Sequence, residues 1–442
     1  MMFMGRKNIY DKDWRYSALY QIVDWCIRGS YRKVEVAGEE NIPSQGAQIA
    51  CPNHCNTLMD ALVMLRGYKR LTVFGARADI FHKPLFAKLL TFIRILPMVR
   101  QRDGIRNVLQ NNKTQEVIVD TLENDVRFCL FPEGTHRTRH SLQVLGKGAM
   151  RIALAANEKF GDRKPVYLLP VGLEYGDYFR YRSTSLLTYG KPINVTQFLR
   201  ENSFESEPQA IEALRKALSS EMTKVITYIP SDDNYEGKWA LVRMCAIDGR
   251  CRGYGDRFTR LSESMARNRA IAQSIEEKLS EEPEKMTQII GRGASFECNR
   301  RKAGVSIYSF RKNNLVLSSI FKTLAVLIGL PYFIFSAIAS LPMWAVETKI
   351  RKGAKDPAFG NTVSFAIKLA VGLILFLIYT PLAFCLAPWW LALALMLLWI
   401  PSYSFLHDYL EGCRRWISDI KLLFNRQLRD EFQSIVRDFK QL

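Results

Sequence analysis

One histidine and one aspartate in the first part of the chain have the residue types needed for acid–base chemistry. His54 follows an apolar run at 47–50 that predicts a buried strand, and Asp60 falls in a predicted helix at 58–67. Imidazole titrates near neutral pH and can take a proton from a hydroxyl, while a carboxylate beside it fixes its tautomer. The two residues are candidates for a general base and its orienting partner. On these two residues alone, a chance pairing is the more common explanation.

The spacing of the two residues decides how they could meet. Five residues separate His54 from Asp60, and six steps along one ideal helix would place them roughly 120° apart around its axis. They can meet only when His54 lies on the strand-to-helix turn and the helix begins near Thr57, a residue type suited to the N-cap.

Two further segments deliver polar residues after predicted strands. The strand at 127–131 leads into a glycine-containing turn that offers backbone donors together with Glu133 and Arg137. A short predicted strand at 96–99 is followed by Arg100 and Arg102. Arginine suits bidentate contact with phosphate. Each segment taken singly is equally consistent with a solvated turn.

Short β-rich runs alternate with helical stretches between residues 34 and 195, which predicts an α/β fold in which a layered sheet is flanked by helices. In such sheets, sites gather at the carboxyl ends of the strands, and the polar segments fall there. The predicted strands are 34–37, 47–50, 71–74, 96–99, 127–131 and 166–171, and the predicted helices are 58–67, 79–95, 105–123 and 147–160.

Composition limits the partners. The 442 residues carry a formal net charge of +19, which favours an anionic partner such as a lipid headgroup. No basic block is interleaved with aromatic residues as in nucleic-acid motifs, so we expect no nucleic acid. The nine cysteines are odd in number and scattered, which suits a reducing compartment. We expect no metal and no bound cofactor, because Cys51, His54 and Cys55 lack a second ligand pair at zinc-site spacing.

Two long apolar runs change the composition after residue 312. Residues 323–346 and 369–406 contain no charged side chain. The second run is long enough for two passes of about 20 residues each, with a turn near 388–390. The first would be a full span or a re-entrant hairpin broken at 329–331. Because basic residues flank both runs, a non-crossing hairpin followed by two spans keeps every basic segment cytosolic. We favour two spans, with three as the alternative.

These patterns predict five regions. Residues 1–33 would be an amphipathic segment, either interfacial or docked on the core, and 34–199 the α/β domain. A helical appendage would occupy 200–312 and membrane helices 313–408. Residues 409–442 would form an amphipathic C-terminal helix on the cytosolic membrane surface.

The motifs together resemble one known family. Asn53-His54 followed by Asp60, an arginine after a short strand, Phe131-Pro132-Glu133-Gly134-Thr135, and a Val166-x-x-x-Pro170-Val171 strand occur in that order. This arrangement resembles the phospholipid/glycerol acyltransferase superfamily, which includes lysophosphatidate and glycerol-3-phosphate acyltransferases. The chain departs from the common pattern, which has four residues between His and Asp. The form seen here is similar to a subgroup with hydrophobic segments after the catalytic domain, as is Lys355-Asp356-Pro357-Ala358-Phe359.

The resemblance implies roles for named residues. His54 would deprotonate the acceptor hydroxyl and Asp60 would hold the imidazole, with no covalent enzyme intermediate. No Gly-x-Ser-x-Gly nucleophile motif is present in the sequence, and we do not expect Cys55 to act as one. The implied substrate-binding residues are Asn53, Arg100, Glu133, Gly134, Thr135 and Arg137, with Arg102 as a further candidate for the phosphate.

The implied function is that of an integral membrane O-acyltransferase in phospholipid synthesis. It would transfer a fatty acyl group from acyl-carrier protein or CoA, as co-substrate, to 1-acyl-glycerol 3-phosphate or glycerol 3-phosphate. Its catalytic domain would face the cytosol, at a bacterial inner membrane in preference to endoplasmic reticulum. The alternatives are O-acylation of another lyso-lipid, such as an amino-acid lipid or a lysophospholipid in remodelling, and a catalytically silent lipid-binding membrane protein.

Overall fold

The structure, a computed structural model, describes residues 8–68, 71–98, 108–248, 260–311, 314–353 and 356–442. Arg100 and Arg102 therefore lie outside the described residues. The chain divides into two units. Unit 1 comprises Met1–Ile27, Val34–Glu174 and Ser185–Ile226, and unit 2 comprises Arg28–Lys33, Tyr175–Thr184 and Thr227–Leu442.

The described residues form one eight-stranded sheet, with strand order β1-β7-β6-β2-β5-β3-β4 and β8 paired to β6. Strand β2 pairs in parallel with both β5 and β6, and β3 pairs in parallel with β4 and β5. The predicted α/β class is therefore confirmed. The strands are β1 (Tyr31–Ala37), β2 (Ala47–Pro52), β3 (Thr72–Arg77), β4 (Ile95–Met98), β5 (Arg127–Leu130), β6 (Val166–Tyr175), β7 (Ser183–Tyr189) and β8 (Ile193–Asn194).

The central strand β2 is buried along its whole length, as expected for a parallel strand covered on both faces. Ile49 pairs with Phe128 of β5 and with Leu168 of β6. These side chains belong to a core that also takes in the flanking helices. Because β2 and β5 run parallel, the residues that follow them emerge at the same edge of the sheet.

Helices α1 to α7 occur in the same part of the chain as the strands of the sheet. The helix α5 shows how they pack, because its buried residues Ala149, Ile152, Ala153, Ala156 and Phe160 recur at helical spacing and form one apolar stripe. The ranges are α1 (Trp14–Ser30), α2 (Thr57–Tyr68), α3 (Pro84–Phe92), α4 (Val108–Glu123), α5 (Gly148–Phe160), α6 (Val195–Glu201) and α7 (Glu207–Thr223).

Unit 2 is built mainly from helices α8 to α15, which include a compact helical core. In that core Phe296 packs against Phe310 and Phe432, with ring centroids 5.4 and 5.8 Å apart. The ranges are α8 (Tyr235–Asp248), α9 (Leu261–Glu281), α10 (Pro283–Lys302), α11 (Leu315–Ala339), α12 (Leu341–Gly353), α13 (Phe359–Leu386), α14 (Trp389–Leu423) and α15 (Arg426–Gln441).

The C-terminal helix α15 is amphipathic, but the expectation that it lies on a membrane surface is wrong for its apolar face. That face packs into the helical core beside α8 and α10 instead, because a compact core buries its aromatic side chains more completely than a lipid interface would. The buried residues of α15 are Leu428, Phe432, Ile435, Val436 and Phe439.

Three helices of unit 2, namely α11, α13 and α14, are long and apolar enough to cross a membrane, judged by length and composition. The predicted break of the first apolar run at 329–331 is wrong, because α11 continues through Pro331 and ends at Ala339. Tyr409 supports this part of α11 by donating a hydrogen bond to the carbonyl oxygen of Val326 at 2.9 Å. The predicted boundary at 408/409 falls inside α14.

Candidate active site

His54 and Asp60 meet at the turn between β2 and α2. The Nδ1 atom of His54 lies 2.7 Å from an Asp60 carboxylate oxygen. Asp60 is fully buried, whereas 20% of the His54 side chain is exposed. A neutral imidazole that donates from Nδ1 keeps Nε2 as a proton acceptor. Among the described residues, none hydrogen-bonds to Nε2.

The same Asp60 oxygen also organises the turn that carries the histidine. It accepts hydrogen bonds from the backbone N–H groups of Cys55 and Asn56 at 2.8 and 2.7 Å. Helix α2 begins at Thr57, as the spacing requires. Thr57 has φ = 49°, a left-handed conformation that β-branched residues rarely adopt. Asp60 therefore holds both the ring and a strained backbone in place.

The segment after β5 is joined to the His54 turn in both directions. Glu133 accepts a hydrogen bond from the backbone N–H of His54 at 2.7 Å, and the backbone N–H of Arg137 donates to the His54 carbonyl at 3.0 Å. The second oxygen of Glu133 accepts from the backbone N–H of Gln143 at 3.0 Å. Burial raises the pKa of Glu133, while the hydrogen bonds from His54 and Gln143 oppose that rise.

The structure brings the other predicted residues of this motif to the same edge. Gly134 has φ = 68°, where glycine is favoured, and its N–H closes a turn on Phe131 at 3.1 Å. The backbone carbonyl of Thr135 accepts from the Gln143 side chain at 2.8 Å. The Arg137 guanidinium donates to Ser141 at 2.8 Å.

Asn53 anchors the turn to the neighbouring strand. Its side-chain amide donates to the carbonyl of Leu173 at 3.1 Å and accepts from the Leu173 N–H at 2.6 Å. Asn53 is buried, and its amide nitrogen also lies 3.7 Å from the Cys55 sulfur. A substrate-binding role for Asn53, Glu133, Gly134, Thr135 and Arg137 stays a prediction, as does that of Arg100, which lies outside the described residues.

Three residues around His54 were missed by sequence reasoning. Phe131 stacks on the imidazole with ring centroids 4.4 Å apart, and His136 meets it edge-on at 5.8 Å. Gln143 connects Glu133 to Thr135. Phe131 and His136 flank the Pro-Glu-Gly-Thr run at 132–135 in sequence, so proximity to that run was the available signal. Gln143 gave none, because its role depends on the loop folding back.

Cys55 does not have the environment of a nucleophile. Its thiol lies 3.7 Å from Asp60 and 3.6 Å from the Leu173 carbonyl. Burial, followed by the negative charges of Asp60, Glu133 and Glu174, raises the pKa of Cys55 well above its usual range. A reactive cysteine needs the opposite, a lowered pKa.

Comparison with known proteins agrees with this geometry. Residues 33–174 match the family model "Acyltransferase". A segment of 125 residues is 29% identical to glycerol-3-phosphate O-acyltransferase 2 of Saccharomyces cerevisiae and covers 28% of this chain. The aligned segment spans 17% of that relative, about a sixth of its length.

One solved structure aligns with part of this chain. The 1-acyl-sn-glycerophosphate acyltransferase PlsC from Thermotoga maritima aligns with a TM-score of 0.34 and 20% identity, over 47% of this chain and 78% of that chain. The family match contains the His54 turn, Asp60 and the Glu133 segment. Residues 33–174 are therefore an acyltransferase domain of the phospholipid/glycerol acyltransferase superfamily.

Proposed function

We propose that this protein transfers a fatty acyl group from a thioester to the hydroxyl of glycerol 3-phosphate or 1-acyl-glycerol 3-phosphate, with His54 as the general base. The contact between His54 Nδ1 and buried Asp60 carries the proposal, because it leaves Nε2 to accept a proton at the carboxyl edge of the sheet. The yeast relative, named for glycerol 3-phosphate, supports this class of acceptor.

The proposed step needs no covalent enzyme intermediate. His54 Nε2 takes the proton of the acceptor hydroxyl as its oxygen attacks the thioester carbonyl. The tetrahedral intermediate collapses, the carbon–sulfur bond breaks, and the sulfur leaves with the proton returned by the imidazolium. The products are an ester and a free thiol. Asp60 stabilises the imidazolium and keeps the ring in one orientation.

The acceptor phosphate needs cationic partners. Arg137 lies on the segment joined to His54, and Arg100 follows β4 in sequence. Arginine binds phosphate oxygens in a bidentate manner, so both are proposed to hold this group. The donor is proposed to be a thioester of acyl-carrier protein or CoA. The described cysteines form no disulfide bond, which favours a domain facing the reducing cytosol.

The test is a radiolabelled acyl-transfer assay with the purified full chain. Glycerol 3-phosphate and lysophosphatidate are offered separately, each with acyl-carrier-protein and CoA thioesters. His54→Ala is expected to lose about 10²–10⁴ of the rate. His82→Ala, which changes an exposed histidine, is the matched control and should keep wild-type turnover.

Each outcome has a defined meaning. A His54-dependent product with one acceptor identifies the substrate. A product formed equally by His54→Ala removes the general-base role. No product with either acceptor, followed by His54-dependent acylation of another lyso-lipid, rejects the proposed acceptors. No acylation of any lyso-lipid leaves a lipid-binding protein without catalysis.

A further inference from the structure

We propose that α11 does not cross the membrane but lies along the leaflet on the side of α10 and α15, and that α13 and the first half of α14 form the transmembrane hairpin. By length and composition alone, all three helices could cross. Contacts within unit 2 restrict the number of crossings, because side chains on opposite sides of a bilayer cannot touch.

The first restriction comes from the two ends of the membrane region. Helix α10 precedes α11, and helix α15 follows α14, yet they share one hydrophobic core. Arg292 of α10 also pairs with Asp438 of α15 at 2.5 Å. Both ends therefore lie on the same side. The number of crossings between them is even, which excludes three.

The second restriction identifies the helix that does not cross. At the start of α13, Asn361 donates to the Tyr31 hydroxyl at 3.1 Å. Tyr31 belongs to a stretch, residues 31–302, in which the described residues contain no candidate span. The longest gap in the description of that stretch, 249–259, is much shorter than the ~20 residues of a helical span. Tyr31, α10 and the start of α13 thus share one side, so α11 makes no net crossing.

Helix α12 is too short to undo a crossing by α11. Its 13 residues extend about 20 Å at 1.5 Å per residue, less than the ~30 Å hydrocarbon core.

Helix α12 also carries Glu347, which is buried in a polar cluster with Ser364, Tyr403 and His407. Burial alone would raise the pKa of Glu347, but the hydrogen bond from His407 and those from Ser364 and Tyr403 lower it to about 2.

The third observation is where α11 packs along α14. Lys322 pairs with Asp419 at 2.7 Å, and Trp416 donates to Thr323 at 2.9 Å. These partners lie in the charged second half of α14. Helix α11 reaches the apolar first half only at Leu398, whose carbonyl oxygen accepts from the Tyr332 hydroxyl at 2.7 Å. Helix α13 packs nearer the start of α14, where Thr380 lies 4.0 Å from the sulfur of Met396. Pro401 stands in α14 between the two halves, a position at which helices bend.

The charged half of α14 is on the same side of the membrane as α10. Asp408 pairs with Arg182 at 2.8 Å and with Arg32 at 2.9 Å, and both arginines belong to the stretch without a candidate span. Helix α13 therefore begins on that side of the membrane, and the first half of α14 ends on the same side. Their apolar run crosses twice, with its turn at Ala387 and Pro388 on the opposite side.

The exposed face of α11 fits the boundary between headgroups and acyl chains. Phe321 is 63% and Ile328 79% exposed, and further large apolar side chains share this exposure: Leu324, Leu327, Ile334 and Ile338. Arg311 shortly precedes its first turn in sequence, and Lys322 on the helix donates to the backbone carbonyl of Arg415 at 3.1 Å. Exposed apolar side chains on one helix can be buried among the acyl chains of a leaflet, and nearby cations are attracted to anionic headgroups.

The test of sidedness uses the full chain with Cys251, Cys298, Cys385 and Cys413 replaced by serine, which leaves the buried thiols. Single cysteines are then placed at Leu341→Cys, just after α11, and at Val346→Cys as a second position. Restored Cys298 on α10 and restored Cys385 near the hairpin turn are exposed references for the two sides. A membrane-impermeant maleimide is applied to sealed vesicles of known orientation, before and after opening.

We expect residues 341 and 346 to label with the sidedness of Cys298, and Cys385 to label from the opposite side. Labelling of residue 341 or 346 with the sidedness of Cys385 overturns the proposal. So does labelling of Cys385 and Cys298 from the same side, because the hairpin would then not cross.

A depth measurement separates a helix in the leaflet from one in water. Nitroxides at Ile328→Cys on α11 and Leu377→Cys on α13 compare two highly exposed apolar positions. We expect residue 328 at about 5–10 Å below the headgroups and residue 377 deeper. Equal depths, or full accessibility of residue 328 to a water-soluble relaxation agent, overturn the in-plane position.

Discussion

The molecule contains two histidine–carboxylate pairs with different surroundings. In unit 1, His54 uses Nδ1 to reach Asp60 at 2.7 Å. In unit 2, His407 uses Nε2 to reach Glu347 at 3.3 Å. Asp60 also accepts from the backbone N–H groups of Cys55 and Asn56 in its own turn, whereas Glu347 is bound by side chains from three helices. The first pair is suited to hold a proton acceptor on a rigid turn, and the second is suited to link helices to one another.

The comparison shows that residue types alone do not define a catalytic pair. His54 follows a buried parallel strand at the carboxyl edge of the sheet, where its Nε2 can meet a substrate. His407 lies in mid-helix and packs against Tyr181 and Tyr403. The same two residue types therefore serve different purposes at these two positions in the fold.

The largest expected effect is on catalysis at the first pair. Asp60→Asn should lower kcat/KM by about 10²–10⁴, because the amide presents a donor to Nδ1 or to the N–H groups of Cys55 and Asn56. The assay is steady-state acyl transfer, with circular dichroism to check that the variant is folded. Turnover close to wild type would show that His54 does not need this partner.

The matched change at the second pair should affect stability instead. Glu347→Gln leaves His407 and Arg351 without their buried counter-charge, and we expect a loss of about 3–5 kcal/mol in the free energy of unfolding. Turnover per folded molecule should be unchanged. Thermal unfolding in detergent measures the first quantity and the acyl-transfer assay the second. A large drop in turnover at full stability would contradict the contrast between the pairs.

Acid should destabilise unit 2, because two of its carboxylates, Glu297 and Glu347, have lowered pKa values. Burial would raise the pKa of Glu297, but Arg300, Arg243 and Arg301 outweigh it and lower the pKa to about 2, as hydrogen bonds do for Glu347. A carboxylate with a lowered folded-state pKa stabilises the protein above its unfolded pKa, about 4.5. That contribution is lost as pH falls from about 4.5 to about 2. Unfolding monitored across this range should show the loss, and Glu297→Gln should make it smaller.

A moderate effect is expected where the two motifs of the site are joined. Glu133→Gln keeps one oxygen acceptor but turns an amide NH₂ toward the backbone N–H of His54 or Gln143. Losing one hydrogen bond of about 1.4 kcal/mol corresponds to about tenfold in kcat/KM. Glu158→Gln, on the exposed side of α5, is the control. Equal rates for the two variants would make Glu133 dispensable.

The smallest effect is expected at the neighbouring cysteine. Cys55→Ala removes a buried thiol whose pKa is raised, so kcat should stay near the wild-type value with some loss of stability. Acyl-transfer rates and a search for a thioester-linked acyl enzyme by mass spectrometry test this. A trapped acyl group on Cys55 would replace the general-base mechanism by a covalent one.

The sequence by itself determined the α/β class, the six strands that it predicted and the order of the motifs. These features depend on local periodicity and on turn residues, which neighbouring positions specify. It also required that α2 begin near Thr57, because helical geometry leaves no other way for His54 and Asp60 to meet. Strands β7 and β8 were missed, since Ser183–Tyr189 is rich in serine and threonine and is fixed by pairing with distant strands.

Only the tertiary structure decided how distant segments combine. Glu133 binds the His54 backbone across 79 positions, and the partner of the apolar face of α15 is a core formed by α8 and α10. The spacing of apolar residues predicts that one face of a helix is removed from water, but it does not indicate whether lipid or protein covers that face. The continuous α11 and its packing on the charged half of α14 likewise depend on contacts between segments that no local pattern encodes.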